Sequence, residues 1–184
     1  MLTIPGEGAL GDVITQIEEG GQVVFKDKVR VPARPMIGVI GVAPAEGEVP
    51  TGTPGLHGGN MDCKLVAAGN RVYFTVGVEG ALFGAGDLHA AMGDGEIVVC
   101  GAETAGAVRF KADVVDLPGL PAPFVETKEV VGTTFSAPTL DESARLSTRS
   151  RRCVSNSRRQ SWLSTISTCR KWKKPEHVDH LTKK

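Results

Sequence analysis

All 23 glycines of this 184-residue chain lie at or before Gly132, and the 52 residues beyond it contain none. Ahead of that point glycine interrupts short runs of Val, Ile and Phe. That pattern predicts many short strands joined by tight turns. QVVFKDKVRV (22–31) reads as a strand, and MIGVIGV (36–42) as a buried one whose glycines allow close backbone approach. RVYFTVGV (71–78) is rich in β-branched and aromatic residues, and EIVVCGAE (96–103) follows the same habit. AVRFKADVVDL (107–117) partly alternates, with Val108, Phe110, Ala112 and Val114 on one face. FVETKEVVGTTF (124–135) carries a weaker signal. Helix is scarce: DLHAAMGDG (87–95) holds at most one turn, and LDESARLSTR (140–149) begins with acidic residues that suit a helix start. Residues 1–135 are therefore expected to be mostly β, a sandwich or distorted barrel with little helix.

The formal net charge of zero hides two unlike segments. Residues 1–148 hold 10 Lys+Arg against 19 Asp+Glu, a net −9, whereas residues 149–184 hold 11 against 2, a net +9. The division predicts a β domain over 1–148 and a basic, disordered tail over 149–184. The tail is rich in Ser, Thr, Arg and Lys, has two tryptophans, and keeps no amphipathic period. Three readings of it stand side by side: a nucleic-acid contact, a contact with an anionic membrane surface, or sequence that was never selected. The sudden loss of glycine, just where a helix begins, favours the third reading over a nucleic-acid or membrane partner. No apolar run reaches the length of a membrane span, and the N-terminus MLTIPGEGALGDV lacks the pattern of a signal peptide. A cytoplasmic location, without membrane contact, is the expectation. The cysteines at 63, 100, 153 and 169 form no CxxC pair, so free thiols are expected, with Cys63 and Cys100 as packing residues.

Chemistry concentrates in PTGTPGLHGGNMDCKLVAAGNRVYFTVGVEGALFGAGDLHAAMGDGE (50–96). It contains His57 and His89, two of the four histidines, with Asn60, Asp62, Asp87, Asp94 and Glu96 among them. Glycine flanks nearly every polar group, the layout of loops that approach a ligand closely. Asp87 and His89 in GDLH are two residues apart. On an extended segment they point to one side and can share a cation, and imidazole with carboxylate suits zinc or a similar divalent metal. Glu96, near the start of the next strand, is placed to carry a proton. Taken singly, each residue has a plainer explanation, Asp94 as a turn former above all.

HGGNMD, GALFGAGDLHAAMGDGE and the preceding RPMIGVIGVAP resemble the acetamidase/formamidase family, without evident gaps from Arg34 to Glu103 and weakly on to about Ser147. The resemblance implies a mostly β, jelly-roll-like sandwich, an active-site divalent metal (zinc, or calcium), a homo-oligomer, and a small linear amide as substrate. Carried over by position, it places His57, Asn60, Asp62, Asp87, His89 and Glu96 in the active-site region; of these, Asp62, Asp87 and His89 are expected to be metal ligands, Glu96 a further ligand or the proton carrier, and His57 and Asn60 catalytic residues. The same resemblance implies a longer chain, so an internal fragment with an incomplete site and little activity of its own is expected.

The reaction expected is hydrolysis of the carbon–nitrogen bond of formamide or acetamide to carboxylate and ammonia. Metal-activated water would attack the carbonyl, and Glu96 would protonate the departing nitrogen. A cysteine nucleophile is disfavoured, because Asp62 beside Cys63 raises the thiol pKa. Two readings compete with hydrolysis: a non-catalytic metal- or ligand-binding β domain, and a nucleic-acid-associated protein acting through its tail.

Overall fold

The computed structural model describes residues 16–96, 99–116, 123–146 and 164–165. It is mostly β, in three sheets of linear strand order, and none of the sheets closes into a barrel. The expected basic tail (149–184) lies outside the described residues, apart from one two-residue strand, and so does the start of the chain. Among the described residues no helix is long and apolar enough to cross a membrane.

The first sheet is a meander of β1 (Gln16–Glu18), β2 (Gln22–Phe25) and β3 (Val29–Pro32). The single strand expected over 22–31 is thus a hairpin. Lys26 and Asp27 turn the chain at φ of 47° and 54°, and the Lys28 N–H donates to the Phe25 carbonyl at 3.1 Å. Positive φ at both central residues is what a tight hairpin needs, but here no glycine or asparagine announces it.

The second sheet runs in the order β5 (Gly58–Asn60), β4 (Met36–Gly41), β7 (Gly84–Ala91), β8 (Ala102–Glu103), all antiparallel. The helical turn considered over 87–95 does not form: residues up to Ala91 belong to β7, paired with β4 on one side and β8 on the other. The third sheet runs β6 (Arg71–Tyr73), β9 (Phe124–Glu126), β10 (Val131–Thr133), β11 (Ser164–Thr165), with only the last pair parallel. Residues 124–135 form a β9–β10 hairpin. The Thr127 hydroxyl oxygen accepts the N–H groups of Glu129 (3.1 Å) and Val130 (2.9 Å) and fixes its turn.

Two apolar clusters join the sheets. Ile40 of β4 and Val125 of β9 meet Cys63 and Val66 from the segment between β5 and β6, so the second and third sheets share one core. Val23 of β2 packs with Ala90 of β7, tying the first sheet to the second. This is sandwich packing rather than a barrel. Cys63 is buried as a packing residue, whereas Cys100 is only half-buried. A short helix, α1 (140–146), appears where the acidic start suggested one. Thr139 caps it, its hydroxyl accepting the Glu142 N–H at 3.3 Å.

One expected strand does not form. Residues 107–116 pair with no other described strand, and every residue from 105 to 116 is exposed. The alternation there is real, but alternation only equips a segment for pairing; a ladder also needs a partner edge.

Candidate active site

The second sheet carries the chemistry. Asp87 and His89 sit two apart on β7, as their spacing suggested, and Asp87 Oδ1 lies 3.3 Å from His89 Nε2. Three more carboxylates converge on that nitrogen: Glu103 at 3.1 Å, Glu96 at 3.6 Å and Asp62 at 4.0 Å. Asp62 follows β5, Glu96 stands in the β7–β8 connection, and Glu103 ends β8 directly opposite His89 in the ladder. The His89 side chain is 1% exposed, while the acids reach partly toward solvent.

The central strand shapes this cluster by what it omits. A Cβ on Gly38 of β4 would fall 2.6 Å from Asp62 Oδ1 and closer still to Asp87 Oδ2. The Gly38 carbonyl also accepts the N–H groups of Met61 (3.0 Å) and Asp62 (3.2 Å), pinning the end of β5. Gly101 does the same for the imidazole: a Cβ there would stand 2.7 Å from His89 Nδ1. Asp62 and Asp87 both take positive φ, 39° and 55°. Such backbone is costly for a residue with a side chain and persists where the surroundings impose it, most often at functional sites.

Electrostatics give the cluster its character. Burial pushes the Asp62 carboxyl above its ordinary range, and the Asp87 charge adds to this while His89 opposes it. Burial likewise raises Glu96, helped by Asp62 and Asp87 and opposed by His89 and the Gly101 backbone. It raises Glu103 too, against the pull of His89 and with the push of Asp87. Four carboxylates around one imidazole carry more negative charge than even a protonated ring can balance. Asp62 Oδ1 is buried with no hydrogen-bond partner. The donor set falls into two groups, Asp62–Asp87–His89 and His89–Glu96–Glu103, each with its ligand atoms within 4.8 Å of one another. An orphaned carboxylate oxygen, crowded acids and an imidazole nitrogen fit a divalent cation.

The sequence-named residues divide accordingly. Asp62, Asp87, His89 and Glu96 come together. His57 and Asn60 make no hydrogen bond or ion pair with them. His57 instead lines an open cleft of about 470 Å³ together with Val39, Gly41, Gly59, Gly86 and Asp87, so the cleft reaches one edge of the cluster. Asn60 lies on β5 opposite Val39, its side-chain oxygen buried and unpaired. Asp94 pairs with Lys64 on the surface, in keeping with a turn residue. Glu103 was not singled out from the sequence. A hairpin turning near Glu96 places residue 103 across from residue 89, and that register was the signal that could have found it.

Comparison with known proteins gives likenesses in sequence and in fold. The sequence profile of the Acetamidase/Formamidase family matches residues 48–131. A formamidase of Methylophilus methylotrophus is 47% identical over 74 residues, which are 40% of this chain and 18% of that protein. An acetamidase of Mycolicibacterium smegmatis is 44% identical over 63 residues, 34% of this chain and 16% of that protein. The crystal structure of an acetamidase from Bacillus halodurans superposes with a TM-score of 0.77 at 41% identity, covering 91% of this chain and 58% of that one. The chain thus spans little more than half the length of that solved relative, and the matched segments span under a fifth of the curated ones.

Proposed function

From the match of residues 48–131 to the Acetamidase/Formamidase family, we propose that the chain's site hydrolyses the carbon–nitrogen bond of short linear amides. The observation that carries this reading is the convergence of Asp62, Asp87, Glu96 and Glu103 on His89 at the edge of a cleft. In net terms an amide and water give a carboxylic acid and ammonia, which at neutral pH are carboxylate and ammonium.

Asp62, Asp87 and His89 are the residues that would hold a divalent ion, zinc or calcium, with Glu103 as a further donor. When bound, such an ion lowers the pKa of water and polarises a carbonyl oxygen. The chain's own groups handle the proton. Glu96 takes one from the attacking water and delivers it to the amide nitrogen as that bond breaks. A carboxyl raised by burial suits the task, because it holds a proton closer to neutral pH than an ordinary glutamate does. His57 and Asn60 serve in substrate placement, His57 from the wall of the cleft. At about 470 Å³ the cleft has the volume for molecules the size of formamide and acetamide.

The test is ammonia release from these two amides by the purified 184-residue chain. The expected result is slow, metal-dependent release that falls by about 10²–10⁴ in Glu96→Gln, the usual contribution of a general acid or base, while metal content is retained. Release that survives both chelation and Glu96→Gln would contradict the proposal. Bound metal with no turnover of any short amide would instead identify a binding domain.

A further inference from the structure

The cleft beside the acid cluster, at about 470 Å³, falls among pockets that hold ligands well above the size of acetamide, roughly 300–1,000 Å³. Asp87 belongs to both the cluster and the cleft. From Asp87 the cleft follows β7 through Gly86 and Ala85 to Gly84, away from His89, with Val39 opposite Gly86 and Gly41 opposite Gly84 on β4. Three residues of strand make this floor ~10 Å long. Val42, Val49 and Leu82 stand in the walls, and among the described residues lining the cleft only His57 and Asp87 can ionise. Gly84 and Gly86 lack positive φ, and a Cβ on either would meet no atom within 4 Å. Neither backbone angle nor packing asks for glycine at these positions. Glycine weakens a strand, and strands carry it where a ligand comes close. Leu82 is 69% exposed, and Ala81 and Leu82 both take positive φ, 56° and 49°. The Ala81 carbonyl accepts the Ala43 N–H at 2.9 Å, which ties that turn to the cleft wall. Strained backbone that keeps a leucine in water is a feature of ligand clamps.

We propose that this trough is an acyl subsite, which takes the neutral, unbranched apolar chain of an aliphatic amide, on the order of four to six carbons for a floor of that length. The inference rests on the amidase reading for which end of the ligand reacts: the amide group lies at Asp87, beside the residues that would hold the ion, and the chain runs along β7 toward Gly84. The glycines leave room for it on the floor. Leu82 and Val49, both exposed on the free protein, close on its methylenes and set the preference for length. Each methylene taken from water into such apolar surroundings strengthens binding. A charged tail of the same length finds no partner there and loses its hydration.

Ligand-observed NMR titration of the purified 184-residue chain with formamide, acetamide, butanamide and hexanamide tests this. Affinity should rise about two- to fourfold per methylene, and so at least about tenfold from acetamide to hexanamide. An amide of hexanamide's length that ends in a carboxylate should bind no better than acetamide. Leu82→Asn suits a positive φ, and Val49→Ser changes an exposed residue outside the strands, so both variants should keep the wild-type circular dichroism. Each should lower the hexanamide-to-acetamide affinity ratio at least about threefold, through lost apolar contact. A wild-type ratio near one would overturn the proposal. So would a ratio that neither variant lowers, because the longer chain would then be binding elsewhere. Binding is read without turnover, which separates the subsite from the amidase reading. A chain that selects hexanamide yet hydrolyses no amide keeps the subsite and refutes the hydrolase. One that hydrolyses formamide without selecting by length does the reverse.

Discussion

Gly38 has no side chain, and two carboxylates use the space. Gly38→Ala would drive its Cβ into Asp62 and Asp87, so we expect divalent-metal affinity to fall about 10–100-fold, the range for groups that orient ligands, with the β signal in circular dichroism retained. Calorimetric titration with zinc measures it. The raised carboxyls make a second prediction. Glu96 binds its proton more readily folded than unfolded, so its contribution to stability is fully present below the ordinary carboxylate range. That contribution is lost as pH rises through the higher folded value. Glu96→Gln cannot ionise. In the presence of chelator it should therefore gain in melting temperature relative to wild type as pH rises from 4 toward neutral. A constant difference would show that burial does not perturb Glu96. Asp87 and His89 were legible because a two-residue spacing on a strand has one geometric outcome. Gly38 and Glu103 were not, because their roles arise from strand pairing across the sheet, and the only local hint of that register was a hairpin centred near Glu96, which sets Glu103 opposite His89.

Among the elements, β9 anchors the third sheet. It pairs with β6 and β10 and places Val125, fully buried, against Ile40. Val125→Ala should cost about 2 kcal/mol through lost burial and a residual cavity. Denaturant melts would show this, and a loss near zero would mean that the two sheets do not share that core. Nearby, the buried Glu126 accepts the Tyr73 hydroxyl at 2.7 Å, and burial together with that bond pushes the tyrosine up to about 12. Strand existence could be read from Val/Ile/Phe runs, as for β4, but strand ends could not. Residues 22–31 became a hairpin because Lys26 and Asp27 adopt positive φ without glycine. Residues 71–78 kept only β6 as strand, and residues 96–103 only β8 among their described positions. The 107–116 run has the alternation of a strand and no edge to join within the described residues, a fact of tertiary context that no local pattern contains.

At the scale of the whole molecule, three sheets hold one another through two apolar clusters, and the middle sheet presents its acids around a single buried histidine. The mostly β class was legible from glycine spacing, and the likeness to the Acetamidase/Formamidase family from HGGNMD and GALFGAGDLHAAMGDGE, which resemble that family's motifs and lie within the matched residues 48–131. A sandwich could not be distinguished from a barrel, since closure depends on which strand edges meet. The central claim is that Asp62, Asp87 and His89, with Glu103 as a further donor, hold a divalent ion for amide hydrolysis while Glu96 beside them carries the proton. The most direct measurement is elemental analysis paired with calorimetric titration of the purified chain, wild type against His89→Ala. The account predicts a divalent ion bound by the wild type and lost, or weakened at least tenfold, in the variant. A wild type that binds no divalent ion, or a His89→Ala chain that binds it equally well, would contradict it.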